Sequence, residues 1–249
     1  MATSGTSVFD ATRDQIITSA LRKVAALSEG QAPSAYMLSN GAFVLDTIIK
    51  AAHADGMPLW AIVEQTIPCS DFTNGKIVIG IGQDVNIPAP LKVLSGYNRD
   101  KSNTNNPIDI PLTRLTHYDY NWLSAKRSTG TPVQFFYEPM NQYGNLYLWP
   151  IPDTYSNQNR EIHITYQRPF EDVGDGSATM DFPPYWIDAL IYNLAWRLCP
   201  EYGVPPNDRT MLAKEADLLW NKALSFGTEE GSLFIEPDWS RMYLGQGNP

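Results

Sequence analysis

The chain has 249 residues, 43% of them hydrophobic, with 19 prolines and a net charge of −9. That length and apolar content suffice for a sizeable core in one large or two small domains. The acid concentrates in residues 128–182, which sum to −5, and no block is basic enough to serve as an electrostatic footprint for nucleic acid, so DNA or RNA binding through phosphate contacts is not expected.

In chain order, the opening "MATSGTSVFDATRDQ" has neither the basic start nor the apolar stretch of an export signal, and synthesis in a cytoplasm is expected. A first helix is predicted from Thr12 to Glu29. Thr12 and Gln15 have capping-box spacing, Gly30 follows the end, and Ile16, Ile17, Ala20, Leu21, Val24 and Leu27 form the apolar stripe. A second helix is predicted from Ala35 to Asp55, with Leu38, Phe43, Leu45, Ile48, Ile49 and Ala52 as apolar positions and Gly56 as cap. Joined by "GQAPS", the two should form an antiparallel hairpin.

From Met57 the period changes to two. "LWAIVEQTI" and "GKIVIGI" are β-rich and separated by "PCSDFTNG", whose Asn74-Gly75 is a strong turn signal. "PLKVLSGYN", "IDIPLTR", "PVQFFYEP", "NLYLWPIP" and "REIHITYQRP" follow at short intervals, interrupted by one short helix in "THYDYNWLSAK". Six or seven strands, mostly antiparallel, are expected.

After the acidic, glycine-rich "FEDVGDGSATMD" the helical period returns. In "PPYWIDALIYNLAWRLCPEYG" only Asp188, Asn193 and Arg197 are strongly polar between Tyr185 and Cys199. A helix apolar on nearly every side is buried, in a membrane or among other helices, and this run is shorter than the roughly 20 apolar residues a span needs. It reads as the central helix of a core. "PNDRTMLAKEADLLWNKALSFG" supplies the last helix, with Asp208 as N-cap, Gly227 at its end and Leu212, Ala216, Leu219, Trp220 and Ala223 as its stripe.

The expected fold is therefore α+β, a four-helix bundle formed from both ends of the chain with an inserted, mostly antiparallel β region and an extended C-terminal arm. Residues 1–56 would be the N-terminal helical hairpin, 57–175 the β region, 176–227 the C-terminal helical hairpin and 228–249 the arm. The arm carries Leu233, Phe234, Ile235, Trp239, Met242 and Tyr243, more apolar area than a solvated tail should expose. These six are the candidate partner-binding residues, unless the tail folds back on its own helices.

No catalytic set emerges. His53, His117 and His163 are isolated, and Cys69 and Cys199 are too far apart to suggest a disulfide framework or a metal site. "GIGQDV" from Gly80 has Val85 where a dinucleotide loop needs its third glycine. "DKSNTNNPID" from Asp100 has Asn105 where a calcium loop needs glycine and reads as an exposed loop. Glu138 and Asp153, near Tyr137, Tyr147 and Trp149, are the one pair of carboxylates that a sugar-cleaving site could use. Neither an enzymatic activity nor a cofactor nor a metal is expected, and a surface-based role is.

The order of "TRDQIITSALRKVAALSEGQAPS", "ADGMPLW", "STGTPVQFFYEP", "LYLWPIPD", "YQRPFED" and "PPYWIDALIYNLAWRLCPEYGVPP" resembles the head-to-tail adaptor family of short-tailed bacteriophages, also called tail tubular protein A or packaged-DNA-stabilisation protein. The resemblance spans residues 8 to 226. It implies a structural virion protein, a ring of twelve copies between portal protein and tail nozzle protein, with the genomic DNA passing through the central channel during ejection without sequence-specific binding. It implies no cofactor and no membrane. The competing expectation is a glycan-binding or glycan-cleaving tail-associated protein built on the β-region aromatics.

Overall fold

A computed structural model describes residues 10–55, 59–172, 174–177 and 179–227, without the side chains of 53–55 and 59. The first helix, α1 (Arg13–Lys23), opens on the expected capping box: Gln15 N donates to Thr12 Oγ1 at 3.3 Å and Thr12 N to Gln15 Oε1 at 3.0 Å. Asp14 in its first turn and Arg22 and Lys23 in its last complement the helix dipole. It ends six residues before the expected Glu29, because Ala25 turns left-handed at φ 56°. Val24 and Leu27 stay buried although the helix has stopped.

The second helix, α2 (Ala35–Asp55), buries Leu45, Ile48, Ile49 and Ala52. It approaches α1 closely at Gly41, where an added Cβ would sit 2.5 Å from Ile17 Cγ2. Two six-residue helices follow in the middle of the chain, α3 (His117–Trp122) and α4 (Thr154–Asn159), then α5 (Ile187–Leu198) and α6 (Pro206–Phe226). Asp208 is not the N-cap of α6. Pro206 begins the helix, where the missing N–H costs nothing, and Asp208 lies in the first turn facing the positive dipole end.

The four long helices do not form the expected bundle, and the N-terminal region is poorer in helix than the periodicity predicts. Helix α5 is the hub: α1, α2 and α6 all pack on it. Helix α6 makes its extensive helix contact with α5, burying Ala216 and Ala223, and does not close a ring of helices against α1 and α2. Being surrounded by three helices explains why α5 is apolar on nearly every side. Leu190, Leu194, Ala195 and Leu198 are all 0% exposed.

Among the described residues ten strands form three sheets. The first contains β1 (Ile62–Pro68), β10 (Arg160–Gln167), β3 (Lys92–Asp100) and β4 (Ile108–Pro111), in that order and all antiparallel. The second contains β2 (Lys76–Gly80), β8 (Tyr143–Trp149), β7 (Gln134–Pro139) and the two-residue β5 (Thr113–Arg114), which runs parallel to β7. A parallel pair of two-residue strands, β6 (Thr129–Gly130) and β9 (Ile151–Pro152), completes the set. Asn74 and Gly75 form the expected turn, at φ 53° and 75°. The strands on either side of that turn nevertheless enter different sheets. The two larger sheets share one core, in which Ile67, Ile77, Ile79, Val93, Phe135, Leu146, Ile162 and Ile164 are at most 1% exposed.

An aromatic chain runs from the start of β1 and the end of β10 through the helical core. Trp60, just before β1, stacks on Phe170, just after β10, at 4.8 Å; Phe170 meets Phe182 at 5.0 Å, Phe182 meets Trp186 at 5.8 Å, and Trp186 meets Trp220 of α6 edge-on at 4.9 Å. Among the described residues no helix is long and apolar enough to cross a membrane.

Candidate functional site

The arm residues Leu233, Phe234, Ile235, Trp239, Met242 and Tyr243 lie outside the described residues. The remaining candidates can be placed. Glu138, on β7, accepts from Asn145 Nδ2 at 3.0 Å and from the Tyr147 hydroxyl at 3.4 Å. Asp153 caps α4, accepting from Ser156 N at 2.8 Å, and that backbone bond holds its carboxyl below the usual range. Each carboxylate thus has its own local structural task on a different element.

His117 and His163 are equally occupied, and the side chain of His53 lies outside the described residues. His117 Nδ1 lies 3.0 Å from Asn121 Nδ2. His163, on β10, has Glu64 Oε1 2.7 Å from Nδ1 and Glu161 Oε1 3.0 Å from Nε2, and stacks on Tyr97 at 4.5 Å. Hydrogen bonds from Tyr97 and His163 hold the Glu64 carboxyl below its usual range. Arg99 grips Asp109 beside this group with two bonds of 2.7 and 2.8 Å. The cluster is a cross-strand charge network on the first sheet. Among the described residues no group of three or more His, Cys, Asp and Glu side chains could hold a metal ion. Cys69 is fully buried, and burial pushes its thiol up to about 12, far from a nucleophile's range. "GIGQDV" is the end of β2 and a loop pinned by Asp84 Oδ2, which accepts from Val78 N at 3.0 Å.

What the described surface offers is exposed apolar area in two regions. On the sheets, the i, i+4 pair Tyr118 and Trp122 stands out from α3, 66% and 73% exposed with ring centroids 5.5 Å apart. Beneath them Tyr120 stacks on Phe136 at 4.9 Å, and Lys126 Nζ lies 4.9 Å from the Tyr120 centroid. On the helices, Tyr36, Phe43, Met211, Leu218 and Phe226 are each more than half exposed. Phe226 and Tyr185 wall a groove of about 570 Å³ between the start of α5 and the end of α6. The sequence did carry a signal for both features. Tyr118 and Trp122 have helical spacing, and Phe226 continues the Leu219, Ala223 stripe at i+7 and i+3 to the end of α6.

This surface has the character of an assembly component: large aromatic and aliphatic side chains exposed in patches, with polar groups committed to holding strands and caps. A family model described as SU10 adaptor protein matches residues 14–228, from α1 to the end of α6. No curated protein matches the chain.

Proposed function

The chain belongs to the SU10 adaptor protein family of phage head-to-tail adaptors, and from that premise we propose that it is a structural protein of the virion, forming a ring between the portal and the tail nozzle and lining the channel through which DNA leaves. The family match over residues 14–228 carries this reading, since it covers the helices and all three sheets together. Two physical features support it. The exposed aromatic and aliphatic side chains of α3, α2 and α6 suit contacts with protein neighbours. The excess of acid, −9 overall, suits a channel wall that DNA slides past, because Lys and Arg contacts to phosphate dominate nucleic-acid affinity.

In this reading the arm, with Leu233, Phe234, Ile235, Trp239, Met242 and Tyr243, docks on the portal, and the β region faces the nozzle. The protein is a monomer until portal protein templates a ring of twelve. The test is to mix purified protein with its portal and image the product by electron microscopy. A ring of this protein seated on the portal is the expected result. Portal particles that remain bare at micromolar adaptor concentrations would overturn the reading.

A further inference from the structure

The groove between α5 and α6 opens where the described chain leaves the helices. Its floor is Ala189 and Ala223, 1% and 4% exposed, whose small side chains leave a trough above the helix contact. Tyr185, Leu219 and Phe226 form the walls. Phe226 is 74% exposed and meets the Tyr185 ring edge-on at 4.8 Å. Two aromatic rings braced against each other at a helix end present apolar area that favours a cover. Gly227 follows directly, and 22 residues remain beyond it.

We infer that this groove takes the chain's own segment Leu233-Phe234-Ile235 in the free protomer, so that the arm is docked in cis before a partner engages it. The function of that contact as a catch on assembly rests on the adaptor reading above. Reach allows it: five residues lie between Gly227 and Leu233, and the six steps from one to the other span about 20 Å of extended chain, whereas α6 rises only about 10 Å from Leu219 to Phe226. Gly231 lies in that connection, and a glycine there suits a reversal of the chain.

The tether selects the occupant. A short connection holds the segment at an effective concentration on the order of millimolar, so a second copy at micromolar concentration competes poorly for the same groove. A portal that binds the arm must therefore outcompete the groove, which would keep free protomers from capturing one another's arms.

Hydrogen–deuterium exchange on the purified full chain, without any partner, tests the contact. The amides of residues 185–189 and 219–226 should exchange at least about tenfold more slowly in the full chain than in a chain ending at Gly227. The full-length triple variant Leu233→Ser, Phe234→Ser, Ile235→Ser should match the truncated chain. So should Phe226→Ser, whose side chain is exposed and not needed for the core. Equal exchange in all four proteins would overturn the inference. Protection that fades on dilution would assign the groove to a second copy and overturn the cis occupant. The adaptor reading stands or falls separately, by portal imaging, since no portal enters the exchange measurement.

Discussion

Arg168 clasps Asp181 with two hydrogen bonds, Nη1 to Oδ2 at 2.6 Å and Nη2 to Oδ1 at 2.7 Å. The pair ties the residue that follows β10 to the segment leading into α5. Arg168 also donates its backbone N–H to Ala61 O at 2.9 Å, and its guanidinium lies 5.6 Å from the Trp60 ring centroid. The way into the sheets, the way out and the return to the helices are thus fastened at one place. Asp181→Ala strands a partly buried guanidinium and should cost about 1–3 kcal/mol. Arg168→Lys keeps the charge without the fork and should lose part of that. Urea unfolding should show both as lowered midpoints at unchanged slope. An unmoved midpoint for Asp181→Ala would remove the pair from the account of the junction.

The hub role of α5 makes a sharper prediction. Leu194 is 0% exposed, with helices packed on three sides of α5, so Leu194→Ala should destabilise by about 2–5 kcal/mol. Leu218 on α6 is 59% exposed, and Leu218→Ser should stay within about 0.5 kcal/mol. Comparable losses at the two positions, read from the same unfolding curves, would contradict the packing described.

How much of this was readable beforehand depends on what a periodic pattern encodes. Stripes at helical spacing located α1, α2, α5 and α6, and the capping box at Thr12 and Gln15 appears as spaced. A stripe says that a face is covered and leaves its cover unnamed. The Leu212, Ala216, Leu219, Trp220, Ala223 stripe looked like one wall of a bundle, yet α6 rests chiefly on α5. Burial and helix also part company at Val24 and Leu27, which keep their apolar role after Ala25 has ended α1. The Asn74-Gly75 turn was legible because its chemistry is local. Pairing of β1 with β10, about a hundred residues later in the chain, was not, because nothing in either strand names the other. The exposed pair Tyr118 and Trp122 was visible as a helix face, and only the tertiary fold leaves that face uncovered.

Both cysteines should be silent in the native protein. Cys69 and Cys199 are 0% exposed, burial pushes the first thiol up to about 12 and raises the second, and Cys199 Sγ donates to Ala195 O at 3.3 Å. A thiol reagent at pH 8 should therefore titrate neither in buffer and both in urea, since the thiolate is the reactive form and is withheld twice over. Rapid native labelling of either cysteine would show that its element opens without global unfolding.

Asp153 offers the test that separates capping from chemistry, with the direction of its pH dependence fixed by structure. The Ser156 backbone N–H holds the Asp153 carboxyl below the usual range, so the unfolded chain takes up that proton more readily than the folded one. The stabilisation is complete above the unfolded value near pH 4 and is lost as pH falls through the lower, folded value. Glu64, Asp100 and Glu161 shift the same way, so the whole protein should lose stability as acid is added below about pH 4.5. At pH 7 Asp153→Ala should cost about 1 kcal/mol, the usual loss of a cap, whereas Asp153→Asn retains an acceptor oxygen and should change stability by only a few tenths. Between about pH 4.5 and pH 2 the Asn variant should lose less stability than the parent, because it has no proton to bind at that site. Urea midpoints at pH 7 and pH 3 decide the matter. If Asn costs as much as Ala at neutral pH, the carboxylate charge, and not the cap geometry, is what position 153 supplies.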